Sequence, residues 1–232
     1  AELVAKIYAR SPVLWNDEQK DGNPWDISFQ LMFMMSASSG DFKTAVELRE
    51  MGLVRDGTMW VDESSTEDRQ KWLKLVRKLG PEVYEVNENR PVVFVPLYEG
   101  KMTSLFDHRA AGYGARGDDR GYRVLPETSL EEHCDPSFET EPFYWVDQLA
   151  VEQRLFARTS REWLIGWKDV TSATNERTAI FSVIPRVAVG HSMPLMFTGL
   201  EARRFICLMA NTIYFSLLWR RSSIEVAFVI DA

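Results

Sequence analysis

Apolar and polar positions alternate or cluster along this chain in ways that predict short β-strands. From Asp26 to Met34 the two kinds of residue alternate for several positions, which is the period of a strand with one buried face. After Arg90 the run PVVFVPLYEG is rich in β-branched and aromatic residues, which predicts a buried strand that ends at Glu99-Gly100. The sheet is therefore expected to begin early and to continue through the middle of the chain.

Two amphipathic stretches predict helices with recognisable ends. Asp41 can cap a helix over Phe42–Met51, and Ser65 or Thr66 can cap a second helix over Glu67–Leu79. A glycine follows each stretch, and glycine readily takes the left-handed conformation in which many helices end.

The remaining elements complete a mixture of helices and strands without a βαβ rhythm. Such a mixture predicts an α+β fold, a mixed sheet with flanking helices, over one domain of residues 1–232. The other predicted elements are helices at Glu2–Arg10, Val146–Arg158 and Leu200–Leu218, strands at Thr58–Val61, Trp163–Val170 and Thr178–Pro185, and short apolar pieces at Val187–Gly190 and Met193–Phe197.

Residues 110–142 predict a long irregular excursion from this fold. Ala110–Pro126 contains four glycines and three arginines, and Glu127–Pro142 is acidic and rich in turn residues. Loops of this length inside a domain are often functional. The excursion also contains a literal GxGxxG match at residues 112–117. We reject it as a dinucleotide site because no apolar strand precedes it and no helix follows it.

Composition places the chain among ordinary globular proteins. It has 232 residues, of which 45% are hydrophobic and 26% are charged, and no uncharged apolar run is long enough to span a bilayer. Two cysteines are too few for a disulfide framework and fit a cytoplasmic location. The chain opens inside a predicted helix without an initiator Met, so we expect it to be a segment of a longer protein.

The net charge of −7 is distributed unevenly along the chain. Residues 81–150 carry six Lys and Arg against 14 Asp and Glu, whereas residues 151–232 carry ten against seven. Nine of those ten cations are arginines, whose planar guanidinium suits phosphate oxygens and guanine edges. A basic face on an acidic body is therefore one interpretation, and arginines that are solvated or paired with acids are the other.

Charged and polar side chains cluster after two predicted strands. Residues 98–109 contain Glu, Lys, Asp, His and Arg, and residues 171–178 are rich in short hydrogen-bonding side chains and include Arg177. Asn suits adenine edges, Arg suits guanine edges or phosphate, and Ser or Thr suits either. Buried ion pairs that fix a turn would explain the first cluster, and a plain polar turn would explain the second. The residues alone leave both interpretations open.

Other catalytic chemistry has little support in the sequence. His108, His133 and His191 lie far apart and lack a metal-ligand spacing such as HExxH, so no metal site is predicted. Asp107 beside His108 is a pair that acid–base catalysis could use, but no nucleophile motif accompanies it. A hydrolase built on this pair is kept as the weakest alternative.

Eight blocks of sequence, in this order, resemble one protein family. The chain is similar over most of its length to the C-terminal target-recognition region of large bacterial adenine-specific DNA methyltransferases, including type IIG restriction–modification enzymes and methyltransferases of phage-defence systems. The blocks are IYARSPVL (7–14), NPWDISF (23–29), DFKTAVEL (41–48), VPLYEGKM (95–102), FDHR (106–109), WLIGWKDVTSATNERT (163–178), VIPRVAVGH (183–191) and LMAN (208–211).

The resemblance implies a recognition module without its own catalytic centre. In that family the catalytic half lies upstream, binds S-adenosylmethionine through a glycine-containing loop and holds the flipped adenine with a proline-proline-aromatic motif. Neither motif is present here, and Asn23-Pro24-Trp25 is only a partial echo of the second. We therefore expect no catalytic residue and no cofactor in this chain, with S-adenosylmethionine confined to the parent enzyme, which could also be a restriction endonuclease.

The expected partners are double-stranded DNA and the upstream methyltransferase domain. No contact with a membrane is expected. The last 15 or so residues depart from the family's pattern and have no assigned role. The alternative from another class is a protein-interaction or scaffold domain of the same enzyme that makes no DNA contact, and the acidic segment 81–150 favours it. Three stretches supply the candidate DNA-binding residues: Lys101, His108 and Arg109; Arg116, Arg120 and Arg123; and Thr174, Asn175 and Arg177.

Overall fold

The computed structural model describes most of the chain between residues 16 and 199. The described residues are 16, 18, 20–23, 25–64, 66–85, 89–114, 121, 124–171 and 179–199. In this part of the chain no helix has the length and apolar character needed to cross a membrane. The helices predicted at Glu2–Arg10 and Leu200–Leu218 lie outside the described residues.

Short strands and helices alternate irregularly along the described chain. The strands are β1 (Ser28–Gln30), β2 (Val54–Asp56), β3 (Met59–Val61), β4 (Val93–Tyr98), β5 (Trp145–Asp147), β6 (Trp163–Trp167), β7 (Phe181–Pro185), β8 (Ala188–Val189) and β9 (Leu195–Phe197). The helices are α1 (Ala45–Glu50), α2 (Thr66–Leu79), α3 (Glu82–Glu85), α4 (Leu130–Cys134) and α5 (Gln148–Leu155), with 3-10 turns at Ser39–Asp41 and Gly100–Met102.

The strands form two sheets, and the α+β class is confirmed. In the first sheet the antiparallel order is β1-β9-β6-β7. In the second sheet β2, β3, β4 and β5 pair antiparallel in that order, and β8 adds to β4 in parallel. Strand β4 is therefore the centre of the second sheet, which explains why all six of its residues are buried.

The largest hydrophobic core joins the two sheets to helix α5. Leu164 and Leu195 of the first sheet share this core with Val95 of β4 and Val151 of α5. The neighbouring residues of the same first-sheet strands, such as Ile165, point to the opposite face and form a second cluster. Both faces of the first sheet are consequently covered, as the period of two along a strand requires.

Several predicted elements are confirmed with changed bounds. Gly52 and Gly80 follow α1 and α2 with φ angles of 79° and 102°, as expected for glycines after helix ends. The cap of α1 is Thr44 rather than Asp41. The Thr44 hydroxyl accepts from the Glu47 amide at 3.4 Å, and the Glu47 carboxylate accepts from the Thr44 amide at 2.7 Å. This reciprocal capping box replaces the predicted start of the helix.

The predicted helix Val146–Arg158 is wrong at its N-terminal end. Residues Trp145–Asp147 form strand β5, which pairs with β4, and α5 begins only at Gln148. Asp147 ends the strand and caps the helix, since its carboxylate accepts from the Leu149 amide at 2.9 Å. Two further differences are that β2 lies where the sequence analysis placed no strand and that α4 lies in the predicted irregular excursion.

Candidate functional site

The segment after β4 turns twice and carries the first group of predicted contacts. Lys101 lies in the 3-10 turn, with its ammonium 3.7 Å from a Glu99 carboxylate oxygen and 5.0 Å from the centre of the Tyr113 ring. Glu99 is buried and accepts a 2.9 Å hydrogen bond from the Tyr113 hydroxyl. Lys101 is therefore anchored over an aromatic ring and partly balanced by an acid, while its side chain remains partly exposed.

Ser192 joins this segment to the first sheet. The Gly100 amide donates to the Ser192 hydroxyl at 3.1 Å, and the Asp169 amide donates to the Ser192 carbonyl at 3.3 Å. Asp169 follows β6 and precedes the second predicted cluster, residues 171–178. One serine therefore links the turn at residues 100–102 to the base of the second predicted cluster.

A second contact brings the same two regions together. The Phe106 amide donates to the Phe181 carbonyl at 3.0 Å, and Phe181 is the first residue of β7, the strand that follows the second predicted cluster in sequence. Trp167 of β6 pairs with Phe181 across the hairpin. The 99–109 segment thus bonds to Phe181 at the start of β7 and, through Ser192, is linked to Asp169 after β6, although about seventy residues separate the two regions in sequence.

Arg109 is held by backbone carbonyls of the excursion. Its guanidinium donates to the carbonyls of His133, Asp135 and Phe138 at 2.9–3.2 Å. Neutral carbonyls provide directional acceptors without a counter-charge. The geometry thus gives Arg109 a structural role in holding residues 133–138 against the FDHR turn.

Asp107 and His133 form a further link between these two segments. The Asp107 carboxylate lies 2.9 Å from Nε2 of His133, and the Ser129 carbonyl lies 2.9 Å from Nδ1. The hydrogen bond to Asp107, and then that to Ser129, raises the pKa of His133 above its ordinary value, because both acceptors favour the protonated ring. Charge at this contact is therefore retained to a higher pH than in an isolated histidine.

His108 faces a groove of about 680 Å³ between the second sheet and the excursion. Tyr98, Phe138 and Arg186 are among its other lining residues. Burial, and then Arg109, lowers the pKa of His108, while the Asp107 carboxylate opposes this shift, so the neutral form of the ring is favoured. A neutral ring can exchange hydrogen bonds with a ligand but supplies no charge for phosphate. The carboxylate of Asp107, which the hydrolase alternative would pair with His108, bonds to His133 instead.

Two features of the site were missed by the sequence analysis. Lys168 is half-buried directly after β6, and this burial lowers its pKa. It belongs to the block at residues 163–178, which the sequence analysis used only as part of the family resemblance. Phe106 has a φ of 60°, which costs a bulky residue roughly 1–3 kcal/mol. Neither burial nor backbone strain leaves a signal in the local sequence.

Asn23 is occupied by a local structural role. Its side-chain amide donates to the Ile27 carbonyl at 2.7 Å, and its side-chain oxygen accepts from the Ile27 amide at 2.8 Å. Both the nitrogen and the oxygen of the Asn23 side-chain amide therefore bond to the Ile27 backbone and stabilise the turn before β1. An asparagine used in this way is not free to bind an extruded adenine, in keeping with the partial match of its motif.

The structure describes only the first of the three predicted groups of contacts. Arg116, Arg120 and Arg123 of the excursion lie outside the described residues, as do Thr174, Asn175 and Arg177. Their predicted roles remain predictions, although the points at which the 171–178 loop leaves and rejoins the sheet are described. Among the described residues no group of three or more His, Cys, Asp or Glu side chains could hold a metal ion.

Comparison with known proteins adds no relative to this picture. No protein-family model matches the chain, and no curated protein and no solved structure gives a significant match.

Proposed function

We propose that this chain is a DNA target-recognition module that docks on duplex DNA beside an adenine-specific methyltransferase domain. The observation that supports the proposal best is that Ser192 bonds both to Gly100 of the first predicted segment and to Asp169, which closely precedes the second in sequence. Residues 99–109 and residues 171–178 together contain six of the nine predicted contacts, and Lys168 lies between β6 and the second of these stretches. A protein that grips a double helix needs cations from separate segments on one surface, because phosphates and base edges are spaced along the groove.

The chemistry available at this surface divides into positioning and reading. Lys101 and Lys168 are suited to phosphates, since a lysine ammonium acts as a point charge. Arg177 and Asn175 are the residue types that discriminate guanine and adenine edges. S-adenosylmethionine, the methyl donor, would bind to the parent's catalytic domain, and this chain would hold the DNA for it.

The proposal predicts salt-dependent binding of duplex DNA by the 232-residue chain. In a fluorescence anisotropy titration with a short random-sequence duplex, affinity should fall steeply between about 50 and about 200 mM salt. If Arg177 contacts a phosphate, Arg177→Ala should reduce the slope of log K against log salt by about one unit. If Arg177 reads guanine, the same variant should lose about 1–3 kcal/mol only on duplexes that contain its site.

Lys74→Ala is the matched control for this titration. Lys74 is an exposed cation on α2, a helix that packs through Trp72 and Val76 against Leu149 and not against the 99–109 segment. Its loss should leave affinity and salt slope unchanged. Absence of wild-type binding at low salt would contradict the proposal, and equal effects of the two substitutions would remove Arg177 from the site.

A second candidate function is docking of a protein partner without DNA contact. Leu79, Val83 and Phe156 are all large apolar side chains with roughly half of their surface exposed, and the Phe156 ring lies beside Gly80. Apolar groups clustered on a surface are typical of protein contacts. If the chain only docks a protein partner, the anisotropy titration should show no DNA binding. If the chain is a DNA target-recognition module, the same apolar surface would contact the methyltransferase domain.

A further inference from the structure

Phe106 combines an exposed aromatic ring with a backbone conformation that aromatic residues rarely adopt. It occupies the second central position of a two-residue turn closed by Ser104 and Asp107, whose amides and carbonyls bond reciprocally at 2.7 and 3.1 Å. Phe106 has a φ of 60° while Leu105 does not enter the positive-φ region, which is the arrangement of a type II turn. Glycine or asparagine would fit that position without strain.

The fold secures this turn without using the phenylalanine ring. Leu105 packs against the second hydrophobic cluster, and the Phe106 amide is fixed by the Phe181 carbonyl. Phe106 itself keeps 47% of its surface exposed. The turn therefore leaves Phe106 partly exposed on a backbone that is fixed by hydrogen bonds, and full burial of the residue does not compensate for the strain.

The neighbours of the ring indicate what it meets. Phe106 lies next to predicted DNA contacts, since His108 and Arg109 follow it closely in sequence and its backbone bonds to Phe181, the first residue of β7. An exposed aromatic side chain close to a cation such as Arg109 is typical of surfaces that bind nucleobases, because bases offer flat faces next to charged phosphates.

We propose that Phe106 is a stacking residue that inserts against the face of a nucleobase unstacked from the duplex. The inference rests on the proposed function and adds a specific contact to it. A ring fixed at the apex of a turn loses little conformational freedom when it stacks, whereas an apolar wedge must displace neighbouring bases. A base that has already lost its pairing partner offers its face at the lowest cost.

The test compares two short duplexes that differ only by one unpaired, bulged nucleotide at the centre. The wild-type chain should bind the bulged duplex about five- to a hundredfold more tightly than the paired one, as expected for one base stacked on one aromatic ring. Phe106→Gly should lose this preference and keep its affinity for the paired duplex. Phe106→Tyr, which retains the ring, should keep the preference.

Thermal unfolding of the same variants separates a binding role from a structural one. Glycine relieves the positive φ, so Phe106→Gly should leave Tm unchanged or raise it by up to about 4 °C. A clear fall in Tm would show that the fold needs the ring and would overturn the inference.

The two proposals fail in different ways. Wild-type chain that binds the paired duplex but shows no preference for the bulge would overturn the role of Phe106 alone. Wild-type chain that binds neither duplex would overturn the proposed function, and the stacking role with it.

Discussion

Glu152→Ala should lower the free energy of unfolding by about 3–5 kcal/mol, because it leaves a buried guanidinium without its counter-ion. Glu152 and Arg186 are 1% and 3% exposed, and their charged atoms approach to 2.7 Å. Arg186 completes its hydrogen bonds with the carbonyls of Thr159 and Arg161, at 2.8 and 3.1 Å. The pair therefore ties the β7–β8 turn to α5 and to the chain before β6.

Urea denaturation followed by circular dichroism measures this loss directly. Glu162→Ala is the matched control, since Glu162 also bonds to an arginine, Arg77, but is 70% exposed, and should cost less than about 1 kcal/mol. The double variant Glu152→Leu with Arg186→Met removes both charges and should recover part of the stability. Equal losses for Glu152→Ala and Glu162→Ala would contradict the buried pair.

Gly100→Ala should destabilise the protein by about 1–3 kcal/mol, because there is no room for a Cβ atom at this position. An ideal Cβ on Gly100 would lie 2.4 Å from the Ser192 carbonyl oxygen, a backbone atom that cannot move without the turn between β8 and β9. Since the Ser192 contact joins the two proposed binding segments, the substitution should also weaken binding of the random-sequence duplex.

Gly40→Ala provides the comparison for Gly100→Ala. A Cβ on Gly40 would meet nothing within 4 Å, so neither stability nor DNA binding should change by more than the usual effect of a surface substitution. Denaturation and anisotropy on both variants check the prediction. If Gly100→Ala behaved like Gly40→Ala, the close packing at Ser192 would be refuted.

The parts of the fold that local patterns control could be predicted from the sequence. Strand β4 is buried on both faces, and its sequence is accordingly a continuous apolar run. The residues after α1 and α2 adopt the left-handed conformation, and both are glycines. The start of α5 could not be predicted, because Trp145–Asp147 are as compatible with a helix as with a strand. Pairing with β4, about fifty residues earlier, decides between the two.

The candidate site shows the same division. The cluster of charged residues after β4 was visible in the sequence, but the partners of these side chains were not. Arg109 was expected to face DNA, and its guanidinium bonds to three carbonyls of the excursion that no local pattern could place beside it. The strained φ of Phe106 also depends on long-range contacts, since Leu105 is anchored in a cluster built mainly from other strands.

Hydrogen exchange of the whole chain with and without a saturating random-sequence duplex tests most directly whether the two segments at Ser192 form one DNA-binding surface. We expect amide exchange to slow in peptides that cover residues 99–109 and 168–181 together, and to stay unchanged in α2. Protection of only one of the two segments, or of α2 and the Leu79–Val83 surface instead, would contradict the shared surface.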